Sequence, residues 1–339
     1  MALTIEDIAR LSGVSRSTVS RVINGDVKVR AETRKHVLDI VQQNNFLPNI
    51  AARRLAAGRT NVIGLVIPTG VGNIFNDPYF SRLIQGVSAE CNARDYSVML
   101  WLAEPEYERR MIRQIINNGM VDGVVVSATL IDDPIVSSLH ESNMPFVLIG
   151  QHPTLDVNSV DIDNIEAARM ATAHLLSCPP SRQRPGTITG PQNTMAGKDR
   201  YEGFKLALKE KGLVHLPSLA SEGNFSEDSG YQAMLRLLPA KPDAVFAASD
   251  IMASGAYRAI REAGLNIPQD IAIVGFDDVS LAAQLDPPLT TIRQPILLLG
   301  ARAVEMLTQV IQQASSQPIK SILRPELVIR ASCGCTPSS

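Results

Sequence analysis

From Asn61 onward the chain alternates short, unbroken apolar runs with longer segments of helical texture, and few folds accept that pattern. The runs are "NVIGLVIP", "YSVMLW", "VDGVVVSA", "PFVLIG", "GTITG", "DAVFAAS" and "IAIVGFDD". A strand that reads as a continuous hydrophobic run is covered on both faces, and the intervals suit helical crossovers, so parallel doubly wound sheets are predicted. There are strands enough for two sheets. With 339 residues, 45% of them hydrophobic, the chain exceeds one compact core, and two or three folding units are expected, one small and one larger.

Sheets of this kind bind ligands beyond the C-terminal ends of their strands. Gln151 follows "PFVLIG", Ser249 and Asp250 follow "DAVFAA", and Asp277 follows "IAIVGF". All four are candidates for hydrogen bonding to a small polar molecule, with Asp277 accepting from hydroxyls. Asp250 is equally open to a reading as a helix cap. A Walker loop, a G-x-G-x-x-G after the first strand, H-E-x-x-H and G-x-S-x-G are all missing, and the five histidines do not approach metal-site spacing. A hydrolase or dehydrogenase is therefore disfavoured, and no cofactor and no metal is expected.

The first sixty residues have a different texture. In "TIEDIARLSG" Thr4 is the expected N-cap with Asp7 three residues on, Ile5 and Ile8 share a face, and Gly13 ends the helix. Ser15 then caps a second helix, "GVSRSTVSRVING", whose Val19, Val22 and Ile23 occupy one side while Arg16, Ser17, Ser20 and Arg21 occupy the other. A solvated face favours Glu and Lys; arginine with hydroxyls suggests an anionic neighbour. A third helix runs from Arg30 to Asn44, with Val37, Leu38, Ile40 and Val41 as its buried stripe and Phe46 closing over it. Three short helices with a tight glycine-containing turn between the first two fit a helix-turn-helix, whose second helix enters a DNA major groove. The following piece, "PNIAARRLAAGRT", starts at Pro48, is capped by Asn49 and ends at Gly58; a helix this short does not hold in water unaided, so a conditional linker is predicted.

Charge divides the same way. Residues 1–60 carry ten Lys and Arg against five Asp and Glu, leaving 22 against 29 in the remainder, which points to a polyanion-facing module on an acidic body. No run of about 18 apolar residues exists, and "MALTIEDIAR" turns acidic too early for a secretory segment, so a cytosolic protein without membrane contact is expected. Cys91, Cys178, Cys333 and Cys335 are scattered apart from the final "CGC". A reduced, flexible tail is the expectation, with a disulfide or metal role as the alternative.

Taken in order, "TIEDIARLSGVSRSTVSRVIN", "PNIAARRLAAGRT", "PYFSRLIQGV", "RYEGF", "SDIMASGA", "VGFDD" and "LTTIRQP" carry a resemblance to the lactose repressor (LacI/GalR) family of bacterial transcription regulators, from residue 3 to about 332. The resemblance implies an all-α helix-turn-helix domain at 1–47, a hinge helix and linker at 48–60, and an α/β periplasmic-binding-protein-like effector domain at 61–339. The last would hold two doubly wound parallel-sheet subdomains, 61–161 plus 293–321 and 162–291 plus 322–332. It also implies a homodimer on a palindromic operator, probed by a small-molecule effector that opens or closes the two jaws and thereby orders or melts the hinge helices. A sugar or sugar phosphate is the favoured effector, with purines next; whether it induces or corepresses is open. "ASCGCTPSS" lacks leucine heptads, so a dimer rather than a tetramer is expected.

On the DNA side, the resemblance places Arg16, Ser17 and Arg21 at recognition positions, Arg16 either pairing with guanine or gripping phosphate. Thr4, Ser15, Ser20, Asn24 and Arg30 fall on phosphate-contacting positions, and Thr18, Asn49, Ala52 and Arg53 complete the set. Leu55 takes the position of a minor-groove wedge, with Ala51, Ala52 and Ala56 small enough to let two hinge helices meet. Arg30 departs from the family, where a small hydroxyl residue is commoner. "SCPPSRQRP" departs too, replacing a Gly-His-Arg-Arg turn. In the effector pocket the matching positions are Tyr79, Phe80, Arg200, Phe225, Ser249 and Asp277, joined by Gln151 and Asp250. Arg200 otherwise reads as a surface partner of Glu202 or Glu210. The rival functions are a transport-type sugar receptor without a DNA role and an enzyme on the same scaffold.

Overall fold

The structure is a computed structural model that describes residues 3–23, 26, 28–46, 59–102, 106–107, 110, 119–128, 130–313 and 317–335. Two compact units divide between Thr60 and Asn61. Among the described residues no helix is long and apolar enough to cross a membrane.

The small unit holds α1 (Ile5–Ser12), α2 (Arg16–Ile23) and α3 (Ala31–Gln43). The start of α1 is a full capping box: Thr4 Oγ1 accepts from Asp7 N at 3.3 Å while Asp7 Oδ2 accepts from Thr4 N at 3.0 Å. Caps of this kind stabilise a helix by about 1 kcal/mol. Gly13, at φ +64°, takes the left-handed cap that closes α1. Ile8, Ala9, Val19, Val22, Val37 and Phe46 form the core. Leu38 departs from the expected stripe: it is 45% exposed, and Ile5, Val14, Ile23, Val29, Ile40 and Val41 pack around the core instead. Three helices around one small core leave α3 a single fully buried position, Val37. Arg30 provides α3 with no side-chain cap.

Among the described residues the large unit contains two six-stranded sheets, ordered β11-β5-β4-β3-β1-β2 and β12-β10-β9-β8-β6-β7. The first comprises β1 (Val62–Val66), β2 (Ser97–Trp101), β3 (Gly123–Ser127), β4 (Phe146–Ile149), β5 (Ser159–Ile162) and β11 (Lys320–Leu323), all parallel. The second comprises β6 (Pro185–Thr189), β7 (Ala220–Glu222), β8 (Ala244–Ala247), β9 (Ala272–Asp277), β10 (Thr290–Arg293) and β12 (Glu326–Val328); β12 alone runs antiparallel, against β10. The seven apolar runs became β1, β2, β3, β4, β6, β8 and β9. Every residue of β3, β4, β6, β8 and β9 is buried, as strands covered by helices on both faces must be.

Among the described residues the chain passes between the sheets from β5 into the helix Asn164–Ser177, from β10 into the helix Ile296–Gln312, and from β11 into β12. The helices Pro78–Ala93 and Ile296–Gln312 approach so closely that a Cβ on Gly86 would collide with the backbone carbonyl of Leu297. Asp278 ties the crossings down. Its carboxylate accepts from Arg293 Nε at 2.7 Å and from Arg330 Nη2 at 2.6 Å, while its carbonyl accepts from Arg82 Nη1 at 3.0 Å.

The expected loose tail is corrected by the fold. Cys335 is bonded to Cys178, 157 residues earlier, and Cys333 is fully buried beside them. The partners were hidden in the sequence because proximity here is created by the sheet, not by spacing.

Candidate functional site

The strands of the two sheets end at a common cleft of about 200 Å³ within the large unit. Its wall includes Asn73, Asp77, Tyr79, Phe80, Ser127, Gln151, Asp161, Asn164, Arg200, Asn224, Phe225, Asp277 and Gln294. Strand ends supply many of these: Ser127 from β3, Asp161 from β5, Asp277 from β9. Helix starts supply others. Asp77 caps the helix Pro78–Ala93, accepting from Tyr79 N at 2.9 Å, and Asn164 opens the next crossover helix.

Arg200 is the centre of the polar network. It lies on the helix Met195–Glu210 and is only 6% exposed. Its Nε donates to Asn164 Oδ1 at 2.9 Å, its Nη1 donates to Ala248 O at 2.6 Å, and Asp277 Oδ1 stands 3.5 Å from Nη1. The guanidinium stacks over the Phe276 ring at 3.7 Å, with the Phe225 ring at 5.9 Å. The surface ion pair with Glu202 or Glu210 is not made: those acids pair with Lys205 and Arg169.

Three carboxyl groups share this one cation. Burial pushes Asp77 and Asp161 up to about 6 and Asp277 up to about 7, with Arg200 opposing the shift in each case. Asp277 also accepts from Gln294 Nε2 at 2.5 Å, and Asp161 accepts from Asn164 Nδ2 at 3.2 Å. Burial raises the Tyr79 hydroxyl well above its ordinary value, so it stays neutral.

Backbone strain gathers here as well. Ala128, Phe225, Asp277 and Asp278 all adopt positive φ, Asp277 at 116°. Side-chain-bearing residues hold such conformations only where the surroundings enforce them, which is common at ligand sites. Phe225 is further fixed by Gly190, where a Cβ would run into its ring.

Tyr79, Phe80, Gln151, Arg200, Phe225 and Asp277 thus meet at one cleft. Ser249 and Asp250 do not join its wall, which corrects the reading of them as ligand contacts. Ser249 is the cap of the helix Asp250–Glu262, accepting from Met252 N at 3.2 Å. Asp250 is fully buried behind β9, accepting from Thr291 Oγ1 at 2.6 Å and Val279 N at 3.0 Å. The cap and the strand end follow the same apolar run, so sequence alone does not tell them apart. Asn73, Asp77, Ser127, Asp161, Asn164, Asn224 and Gln294 were missed. Ser127 closes a recognised apolar run and was open to the strand-end rule; β5, carrying Asp161, is too polar to stand out as a strand.

The small unit presents a separate surface on α2. Arg16, Ser17 and Arg21 are exposed, while Val19 and Val22 face the core. Ser15 caps α2, accepting from Thr18 N at 3.2 Å, and its Oγ also lies 2.8 Å from Ser17 Oγ and 2.9 Å from Thr18 Oγ1. Arg16 Nε lies 3.0 Å from Glu6 Oε1 and Arg21 Nε 3.9 Å from Asp26 Oδ2. With Arg16 71% and Glu6 58% exposed, the first pair is worth about 0–1 kcal/mol, little enough for a stronger anion to displace it. Thr4, Ser20 and Arg30 are described; Asn24, Asn49, Ala51, Ala52, Arg53, Leu55 and Ala56 lie outside the described residues.

Comparison with known proteins covers both units. Residues 4–49 match the family described as bacterial regulatory proteins, lacI family, and residues 181–333 match the periplasmic binding protein-like domain. The HTH-type transcriptional regulator CelR of Thermobifida fusca is 36% identical over 334 residues, covering 97% of this chain and 98% of that protein. A CelR–cellobiose complex superposes with a TM-score of 0.77 at 34% identity, covering 97% of this chain and 99% of that one. The lac repressor dimer bound to operator and the anti-inducer ONPF superposes with a TM-score of 0.87 at 27% identity, covering 98% and 99%. Similarity of that extent leaves one assignment: the chain belongs to the LacI family of bacterial regulatory proteins and is a DNA-binding transcription regulator.

Proposed function

We propose that this chain acts in the cytoplasm as a homodimeric repressor of a palindromic operator, and that a small neutral sugar held in the cleft sets its affinity for DNA. The observation that carries the sugar reading is the ratio of charges in the cleft. Three carboxyl groups, Asp77, Asp161 and Asp277, surround one guanidinium whose Nε and Nη1 are engaged by protein acceptors. A phosphate or carboxylate brought here meets like charge, and two of the donors of Arg200, on Nε and Nη1, are already given to protein acceptors. A sugar instead donates its hydroxyls to those acceptors and lays an apolar face against Phe225 or Tyr79. A cleft of about 200 Å³, below the roughly 300–1,000 Å³ of drug-sized sites, also suits a small ligand. The cellobiose-bound and operator-bound relatives support the reading from both ends.

The regulatory device is a two-state one. The ligand bridges residues from both sheets, so it favours one arrangement of the jaws, and a preference of a few kcal/mol is enough to shift a population. Residues 48–60 are the connector through which the shift reaches the DNA-binding unit.

A thermal-shift panel of neutral sugars, their phosphates and nucleobases tests this. A neutral sugar should raise the unfolding midpoint, and Asp277→Ala and Arg200→Ala should each abolish the rise. A phosphate ester that stabilises more than its parent sugar overturns the neutral-ligand reading. In a gel shift with operator DNA, the same sugar should change the affinity of the wild-type chain and leave that of Asp277→Ala unchanged.

A further inference from the structure

Neither the cleft nor α2 makes use of the cysteine-rich end of the chain. At the end of the helix Asn164–Ser177, His174 and Cys178 lie one helical turn apart and so face the same side. Cys333 and Cys335 reach them from just beyond β12, flanking Gly334, whose φ of +86° makes the tight turn between them. His174 Nε2 stands 3.4 Å from Cys333 Sγ and 3.5 Å from Cys178 Sγ. The imidazole nitrogen and all three sulfurs lie within 4.8 Å of one another. A tetrahedral zinc ion with bonds of about 2.0–2.3 Å holds its donors roughly 3.5–3.8 Å apart, so side-chain adjustment alone would complete the geometry.

We propose that, in the reduced chain, His174, Cys178, Cys333 and Cys335 bind one zinc ion in a closed, structural Cys₃His site. The Cys178–Cys335 disulfide and the metal exclude one another. A disulfide uses two sulfurs, yet the structure gathers a third, on a fully buried Cys333, and an imidazole as well. Where a cell keeps thiols reduced, such a cluster holds metal more readily than it holds a disulfide. The step balances simply. A thiol reductant supplies two electrons and two protons to the disulfide, and zinc then displaces three thiol protons to solvent.

The surroundings suit that charge. Three thiolates, a neutral imidazole and Zn²⁺ sum to one negative charge. Arg182, 4% exposed, stands beside the turn, with Nη2 3.8 Å from where a Cβ on Gly334 would lie, and its buried Nε has no hydrogen-bond partner. Thr290 Oγ1 lies 3.2 Å from Cys333 Sγ and 3.0 Å from Arg330 O, so its one proton, given to the carbonyl or shared, turns to the sulfur once a thiolate forms there. The site would pin the end of the chain to the helix whose first residue, Asn164, holds Arg200 in the cleft.

The test uses the full chain, reduced under inert gas and titrated with zinc alone or with cobalt(II) as an absorbing substitute. One metal per chain is expected, with the near-ultraviolet absorption of thiolate-to-cobalt charge transfer and an unfolding midpoint that rises with zinc and falls again with chelator. Cys333→Ser should lose the absorption, and Thr290→Val should weaken binding about 10- to 100-fold. Cys91→Ser should change neither, because Cys91 is buried in the other sheet's core. Where Cys333→Ser fails to fold, the wild-type titration still decides. A fully reduced wild-type chain that takes up no metal overturns the proposal, as does a disulfide that survives excess reductant, or cobalt absorption that persists without Cys178 and Cys333.

Discussion

Asp277 shows how much one residue is asked to hold. It ends a fully buried strand, adopts a φ of 116°, and its carboxyl is pushed up to about 7 by burial despite Arg200 beside it. An acid raised in the folded state binds protons there that the unfolded chain has already released. Stability from this group is therefore lost as pH rises from about 4 through 7 and regained on acidification. Asp277→Asn keeps the shape and removes the ionisation. At pH 7.5 the ligand-free variant should match or exceed the wild type in stability, and the margin should shrink as pH falls to 5, while sugar binding is lost at both. Chemical denaturation at the two pH values reads this directly, and a margin that is constant with pH contradicts the ionisation assigned to Asp277. Gly190 makes the complementary case by what it lacks. Gly190→Ala displaces the Phe225 ring, so it should weaken sugar binding by roughly tenfold, about 1.4 kcal/mol, in a calorimetric titration, with DNA affinity in the absence of sugar unchanged.

Among elements, α2 is the one whose two faces have separate duties. Val19 and Val22 fix it to the core, so Arg16, Ser17 and Arg21 are presented by a helix that cannot roll. If Arg16 reads a base, Arg16→Ala should cost about 1–3 kcal/mol and relax preference at one base pair of each half-site. Uniform weakening across sequences, measured with a set of singly substituted operators, would assign it to phosphate instead. This unit was legible residue by residue, since caps, the glycine turn and the apolar spacing are local: Thr4, Gly13, Ser15 and Phe46 all stand as read. Leu38 was misread because spacing shows which residues share a face and not how far a three-helix core extends along it. In the large unit, long apolar runs declared their strands, but β5, β7, β10, β11 and β12 are short or interrupted by polar residues. The site inherited that asymmetry. Asp277 and Gln151 follow evident strands, whereas Asp161 sits on a strand that looks like loop, and Asp250 and the Cys178–Cys335 bond depend on contacts across 41 and 157 residues.

On the scale of the whole molecule, charge and architecture divide at the same place. The basic surplus lies before Asn61 and the acidic surplus after it, where the two compact units also part. Each unit has its own core: Ile8, Val19, Val22, Val37 and Phe46 in the first, and the separate clusters around the two sheets in the second. DNA affinity should therefore be electrostatic in the first unit and ligand affinity independent of it. Counterion release makes the logarithm of DNA affinity fall linearly with that of salt, by about 0.9 for each phosphate neutralised. A chain beginning at Asn61 should still unfold cooperatively and bind the sugar within about twofold of the full chain, since none of the cleft residues lies before it. It should show no operator binding at any salt concentration, because its remaining surface is net acidic and repels the duplex. Parallel calorimetric titrations and gel shifts of the two chains separate these outcomes. Retained operator binding in the shorter chain would move the DNA site off α2, and lost sugar binding would mean that the cleft is shaped by the unit removed.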